Sequence, residues 1–508
     1  RDRLPALLST PLPIGAVEAS QFLYSPQGEF LLQRLSVAFS TEVSDRSRET
    51  TFKGLRGAIV SAANSSAGLT PIGLLEAFPT QRLYLKLGEA IAAVESVRAT
   101  LAASQTELTR LAAIAALQPP ADPAIATQWQ NLQRQGAYTW RIEPIELRDQ
   151  TRNFPYGHRI SADLYLPIDN HPIAHPVLAT PPAIPPATTP TPTPAQTTTP
   201  LIVISHGVGS DRRTFYYLAE YLASHGFAVL VPEHAGSNAK HLQALLQGSE
   251  NEIAKPSEFD DRPRDISLLL DTITWRHAFN PEQSRPIDTT RTIVIGHSFG
   301  GYTALALAGA TISPNVLATT CSNLETEWSW NLSLLLQCRR LAQVEAEPLP
   351  PQWRDERVRG LILISPISSA LFDDHSFATI EIPVFILAGT ADTIAPAYTE
   401  QIPLFEHLPM ADRQLAIWQG GTHFSSIAVP PGEAPSVSLP SILVGPDPTL
   451  AHRNLEAIAL AFIQTHLFND PAARALLAPN ALAALGNATL PIFAIDATSI
   501  APPSRRSP

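Results

Sequence analysis

Six residues, Gly296-His297-Ser298-Phe299-Gly300-Gly301, constrain this chain more than any other stretch. The β-branched run Thr292-Ile293-Val294-Ile295 stands directly before them and Tyr302-Thr303-Ala304-Leu305-Ala306-Leu307-Ala308 directly after. The pattern reads as a buried strand, a sharp turn and a tightly packed helix. Gly-x-Ser-x-Gly in that setting holds a serine hydroxyl out at the carboxyl edge of a sheet, and the small residues at 296 and 300 leave room for neighbouring backbone. A Gly-rich turn with an incidental serine carries the same letters; the strand before it and the helix after it favour a presented nucleophile.

A serine hydroxyl is a weak nucleophile, so this reading requires a base, a group that orients the base, and donors for an oxyanion. Val384-Phe385-Ile386-Leu387 leads into Ala388-Gly389-Thr390-Ala391-Asp392, a strand followed by a small-residue turn and a carboxylate; Asp392 is the candidate acid. Arg413-Gln414-Leu415-Ala416-Ile417-Trp418 leads into Gln419-Gly420-Gly421-Thr422-His423, which makes His423 the candidate base. Asp373 and Asp374, beyond the strand Leu361 to Ile364, are rivals for the acid, and His375 and His407 for the base. Neither histidine follows a Gly-rich loop at the end of a strand. The chain order is Ser298, Asp392, His423.

Oxyanion donors should be backbone N–H groups, one from the residue after the nucleophile and one from the loop after an earlier strand. Phe299 supplies the first. For the second, the strand Leu201-Ile202-Val203-Ile204 runs into Ser205-His206-Gly207-Val208-Gly209-Ser210, and the N–H of Val208 is the candidate. A tight turn explains His-Gly-x-Gly equally well in isolation; its place at the end of a strand ahead of the elbow favours the donor role.

At these residues the chain resembles the α/β-hydrolase superfamily, and within it the group of platelet-activating-factor acetylhydrolases and dienelactone-hydrolase-like esterases. The segments that carry the resemblance are Ser205 to Gly209, Pro232-Glu233-His234, Arg262-Pro263-Arg264-Asp265, Gly296 to Gly301 and the Asp392 and His423 loops. It covers about residues 135 to 470. The resemblance implies an α/β-hydrolase fold and a serine-dependent carboxylic ester hydrolase that needs no metal or cofactor. Upstream, Gln21 to Gly28 and Gly73 to Pro79 look like the helical N-terminal region found ahead of such hydrolases in cyanobacterial proteins.

Composition agrees with one large hydrolase unit and an appendage, since 508 residues that are 44% hydrophobic can bury a sizeable core. A formal charge of −11, without long basic runs, argues against nucleic acid and anionic membrane surfaces as partners. No apolar stretch reaches the ~18 residues that a transmembrane helix requires. The chain begins at Arg1 and its only methionine is Met410, so removal of a signal peptide and a periplasmic or secreted location are expected. Cys321 and Cys338 would then form a disulfide across the excursion after the nucleophile helix; the alternative is two buried free thiols. Neither cysteine has histidines at metal-ligand spacing.

Residues 1 to 118 read as a helical N-terminal domain without strong β-runs. Helical spacing recurs at Phe30, Leu31, Arg34, Leu35 and Ala38, and again from Gly88 to Leu117, where Pro119-Pro120 stops it. A linker follows at 119–134. The catalytic domain is expected over 135–470, opening with paired antiparallel strands at 139–147 and 159–166. Within it, eight Pro and seven Thr between 181 and 200 read as an extended loop interrupting the domain. Beyond the loop come strand 201–204, helix 213–224, strand 227–231, helix 262–275, strand 291–295, helix 299–309, strands 359–364, 383–388 and 413–418, and a closing helix 451–466. Strands alternating with helices imply a mostly parallel sheet covered on both faces. Residues 471–508 read as a C-terminal extension. The excursions 238–259 and 312–353 are lid-like insertions or ordinary surface loops. His206, Phe299, Tyr302, Trp328, Trp330 and Phe424 are candidates for the substrate pocket.

The expected chemistry is two-step acyl transfer from a small or lipid-like ester through an acyl-enzyme on Ser298. An amidase or acyltransferase on the same scaffold, and a catalytically silent hydrolase fold used for binding, are the alternatives. Dehalogenation would put a carboxylate where Ser298 stands.

Overall fold

Consecutive apolar residues in the middle strands are the pattern of a sheet covered on both faces. The computed structural model contains such a sheet. It describes residues 49–80, 84–153, 155–168, 198–247, 249–250, 252–279, 286–326, 331–346, 352–429 and 444–499, with a few positions before 49. The strands are β1 (Phe39–Ser40), β2 (Tyr84–Leu85), β3 (Trp140–Asp149), β4 (His158–Pro167), β5 (Thr199–Ser205), β6 (Ala228–Glu233), β7 (Ile287–His297), β8 (Val358–Ile364), β9 (Val384–Gly389), β10 (Arg413–Trp418) and β11 (Ile492–Asp496). Nine of them form one sheet in the order β11-β10-β9-β8-β7-β5-β6-β4-β3. From β6 to β10 neighbours run parallel; β3, β4 and β11 join antiparallel at the two margins. The fold is that of an α/β hydrolase.

Alternation with period two sorts the side chains onto the two faces. Val294, Leu361, Leu363, Val384 and Ile386 pack on one face beneath the helices Glu258–Phe279 and Phe299–Ala308. Ile293, Ile295, Ile362, Ile364 and Phe385 pack on the other beneath Tyr216–Ser224 and Pro448–Phe468. Each such side chain removed fully from water contributes roughly 1.5–3 kcal/mol, so a slip of one residue, which would exchange the faces, is strongly disfavoured.

Four sequence expectations change. Residues 119–134 are not merely a linker: the helix Ala124–Leu132 buries Trp129 and Leu132, and Trp129 Nε1–H donates to Ala481 O at 2.7 Å. Nor does the sheet end at residue 470. Helices Pro471–Leu476 and Pro479–Ala483 lead to β11, whose register with β10 pairs Leu415 with Ile495. Before residue 118, the expected all-helical region holds helices Glu49–Ala63, Pro71–Glu76 and Leu87–Ala116, but also a ribbon pairing Phe39 with Leu85, too short to leave a periodic signal. The Pro/Thr-rich loop expected at 181–200 lies outside the described residues up to 197; Thr199 and Pro200 belong to β5. The segment Phe30 to Ala38 also lies outside them, apart from Leu32 and Ser36.

The excursion after Asn238 begins with the helix Ala239–Leu246. The one after Ile312 contains Pro314–Thr326, Leu334–Gln337 and Arg339–Ala346, closed by a Cys321–Cys338 disulfide. Among the described residues no helix is long and apolar enough to cross a membrane.

The hairpin β3–β4 is fastened to the helix Glu258–Phe279 by charge. Arg152 meets Asp149 (2.7 Å), Asp261 (2.7 Å) and Asp265 (2.5 Å), and His158 Nε2 meets Asp265 Oδ2 at 3.0 Å. That hydrogen bond to the carboxylate raises the His158 pKa above its ordinary value. A raised folded-state pKa gives stability that is fully present below the unfolded pKa and lost as pH climbs through the folded one. The Tm deficit of His158→Gln should therefore be larger near about pH 5 than near about pH 9. Thermal melts across that range check it; a deficit independent of pH would contradict the pairing.

Candidate active site

Parallel strands deliver their carboxyl ends to one edge, so the turns after β5, β7, β9 and β10 gather there. Ser298 follows β7 directly. Its backbone has φ +54° and ψ −113°, an uncommon conformation for a residue with a Cβ. The surrounding backbone enforces it: Ser298 N–H donates to Ile364 O at 2.9 Å. A Cβ at Gly296 would lie 2.2 Å from Gly300 O, and one at Gly300 would lie 2.0 Å from Ser205 O. Only glycine allows the chain to cross itself this closely.

His423 Nδ1 lies 2.8 Å from Asp392 Oδ2, while Asp392 Oδ1 accepts from the N–H groups of Ile394 (2.9 Å) and Ala395 (2.8 Å). With Nδ1–H directed at the carboxylate, the free lone pair of the imidazole is on Nε2. The elbow is tied to this pair through its second residue, because His297 Nε2–H donates to His423 O at 2.9 Å and the two rings are 4.9 Å apart. Burial pushes the His297 pKa down to about 3, so the imidazole stays neutral and keeps this directed bond. Ser298, Asp392 and His423 are all buried. The rivals stand elsewhere: Asp374 pairs with His407 at the surface (3.1 Å), and Asp373 accepts from the N–H groups of His375 and Ser376.

Phe299 opens the helix Phe299–Ala308, so its N–H has no acceptor within that helix. The loop carrying Val208 approaches closely: a Cβ at Gly207 would sit 3.2 Å from Ser298 Cβ. Gly209 N–H donates to Ser237 O at 2.8 Å, and Arg262 Nη1–H to His206 O at 2.8 Å. Arg262 is fully buried, and Nη2 reaches Ser237 Oγ at 2.6 Å while its Nε lies 3.3 Å from Glu258 Oε2. Its guanidinium also lies over the Phe299 ring, 4.2 Å from the centroid. One side chain thus braces both candidate oxyanion donors. Burial lowers its pKa to about 10, and it remains a cation at neutral pH.

Several pocket candidates belong to this frame instead. His206 is fully buried, donates from Nδ1 to Gly207 O (2.7 Å) and accepts at Nε2 from His234 N–H (3.1 Å), which leaves no nitrogen for a substrate. Tyr302 is buried among Phe259, Phe299 and Phe372. Its Oη–H donates to Phe259 O at 2.9 Å, the carbonyl that Pro263, lacking an N–H, cannot serve in the helix Glu258–Phe279. The Phe299 ring is likewise fully buried, so only its N–H remains a candidate for the site. Phe424 is half-buried and edge-on to His423, whereas Trp328 and Trp330 lie outside the described residues.

Sequence reading missed the props behind the His423 loop. Tyr217 donates to Ser426 O (2.7 Å) and His452 to Ile427 O (2.9 Å), and their rings stack at 4.2 Å. No local pattern announces contacts between residues so far apart. Arg262 and Glu258 are four apart on one helix, but the sequence reading started that helix at residue 262 and left Glu258 in the preceding excursion, so the pair was missed as well.

Two substitutions test this frame. Gly300→Ala should destabilise by about 3 kcal/mol or more, because backbone must move to admit the methyl; chemical denaturation measures it. Arg262→Met should leave a folded protein whose hydrolytic kcat is reduced on the order of 10²-fold, the loss seen when one oxyanion donor is displaced. Unchanged kcat would separate Arg262 from the donors.

Comparison with known proteins agrees with this architecture. Over 137 residues the chain is 33% identical to a platelet-activating factor acetylhydrolase from Canis lupus familiaris, a match covering 21% of this chain and 31% of that protein. Over 225 residues it is 24% identical to cutinase 2 from Thermobifida cellulosilytica, covering 44% of this chain and 60% of that protein. These matches span less than two thirds of either relative's length. Residues 1–86 match a family model described as an alpha/beta hydrolase of unknown function (DUF1400). Residues 202–497, more than half of the chain, match the model of the alpha/beta hydrolase family, and to that family the chain belongs.

Proposed function

We propose that this chain is a serine-dependent hydrolase of carboxylic esters, with Ser298 as nucleophile, His423 as general base and Asp392 as the acid that orients the base. The observation that carries the reading is the 2.8 Å contact of His423 Nδ1 with Asp392 Oδ2 beside a serine at φ +54°. Relatives named acetylhydrolase and cutinase support ester hydrolysis. His423 Nε2 takes the Ser298 proton as Oγ attacks the ester carbonyl, and the N–H groups of Val208 and Phe299 receive the oxyanion. Collapse of the tetrahedral intermediate expels the alcohol, which takes its proton from the imidazolium. Water, deprotonated at the same Nε2, then attacks the acyl-enzyme and releases the acid. Protein groups handle every proton in this cycle. Asp392, held by two backbone N–H groups and the imidazole, keeps the base in one tautomer and stabilises its charged form. The Cys321–Cys338 disulfide supports action in an oxidising compartment, periplasmic or extracellular.

Ser298→Ala should lower the hydrolysis of short p-nitrophenyl esters by on the order of 10⁴-fold or more while leaving the melting curve near wild type. A fluorophosphonate should form one covalent adduct, at Ser298. Retained turnover in the variant, or an intact wild-type protein that takes no adduct, would remove this reading.

A further inference from the structure

One buried carboxylate has no part in the cycle above. Glu400 is fully buried, and among the described residues no Lys, Arg or His forms an ion pair with it. A buried charge persists only where donors surround it. Glu400 collects them from two other segments. From the disulfide-closed insertion, Asn331 Nδ2, Ser333 Oγ (2.9 Å) and Gln337 Nε2 (2.8 Å) meet Oε1. From the turn after β8, the N–H groups of Ser368 (2.5 Å) and Ser369 (2.8 Å) meet Oε2, and Ser369 Oγ meets Oε1 at 2.6 Å.

Glu400 itself lies eight residues beyond Asp392 in the same connection, and the path back to the acid is short. Ser333 N–H donates to Ile394 O at 2.8 Å, and Ile394 N–H donates to Asp392 Oδ1 at 2.9 Å. The insertion is fixed at its far side as well. Cys338, next to Gln337, is bonded to Cys321, and fully buried Arg340 grips Asp260 with both terminal nitrogens (2.6 and 2.9 Å). Asp260 precedes Arg262 by two residues on the helix Glu258–Phe279. The insertion therefore connects the helix that braces the oxyanion loop with the turn that carries the acid.

We infer that Glu400 is a positioning residue: its carboxylate locks the insertion and the Ser368-Ser369 turn onto the Asp392 turn, and through Ser333 and Ile394 it sets where Asp392 meets His423. The inference rests on the esterase reading and deepens it. Its consequence is that the segment 331–346 acts as a fixed wall of the site.

The chemistry of the cluster makes Glu400→Gln a severe change. On either side the amide NH2 would face N–H donors, those of Asn331 and Gln337 at Oε1 and those of Ser368 and Ser369 at Oε2. The full-length protein is assayed with p-nitrophenyl acetate well below its Tm, with Ser298→Ala as the blank. Glu400→Gln should lower kcat about ten- to a hundredfold with little change in KM, as expected for a misplaced catalytic group. The rate of fluorophosphonate labelling at Ser298 should fall in parallel. In an Asp392→Ala background, Glu400→Gln should cost nothing further, because the group it positions is gone. Equal losses in both backgrounds, or no loss in the first, would overturn the inference while leaving Ser298 as nucleophile. Activity surviving in Ser298→Ala would instead overturn the esterase reading beneath it. If Glu400→Gln does not fold, Ser333→Ala, which leaves the carboxylate its other donors, carries the same cycle. A severalfold loss of kcat that disappears without Asp392 supports the inference, and wild-type kcat refutes it.

Discussion

The contact on which the rest of the site depends is the approach of the helix Phe299–Ala308 to the ends of β5 and β7. Backbone meets backbone there, so that even one methyl at Gly300 would overlap the Ser205 carbonyl. That closeness presents Ser298 at positive φ and puts the N–H of Phe299, the candidate oxyanion donor, at the positive end of the helix. It also brings the Ser205 to Gly209 loop against the same serine. A sheet covered on both faces makes this affordable, since the apolar burial of its middle strands outweighs the strain of one turn.

Around the elbow, polar groups are held in fixed charge states by burial. His206 and His297, both pushed down to about 3, stay neutral over the physiological range, and each donates one hydrogen bond to a backbone carbonyl. Arg262 stays cationic and joins the His206 carbonyl, Ser237 and the face of Phe299. The buried histidines therefore brace the loops that carry the candidate donors, while His423, hydrogen-bonded to Asp392, is the candidate base. Asp392 accepts three hydrogen bonds and Glu400 is saturated by donors, so neither carboxylate is left unpaired.

The strand ends were legible because they combine two strong local signals. A run such as Val384 to Leu387 is apolar at every position, and the small residues of Ala388-Gly389-Thr390-Ala391 must then turn the chain; the carboxylate that follows has one place to be. Asp392 and His423 were read this way, 31 residues apart, and the structure sets them 2.8 Å from each other. Sequence reading failed where burial reverses a residue's ordinary habit. Tyr302 and His206 carry polar atoms beside the elbow and so resembled pocket lining, yet backbone groups satisfy both and close them into the core. Helix Ala124–Leu132 and strand β11 were missed for another reason: each is short, follows proline-marked breaks, and is stabilised by partners hundreds of residues away or by a single neighbouring strand.

By itself the sequence determined the fold class, the succession of strands and helices along the central part of the chain, and which serine, acid and base are the candidates, because each depends on local periodicity and on what a residue type can do at a strand end. Tertiary structure decided which side chains brace that site. Arg262 becomes a brace for the Ser205 to Gly209 loop, and Glu400 a buried anchor, only when segments as distant as residues 206, 333 and 369 are brought within hydrogen-bond reach. Hydrogen bonds act over about 3 Å in space without regard to distance along the chain, and a linear pattern contains no measure of that distance.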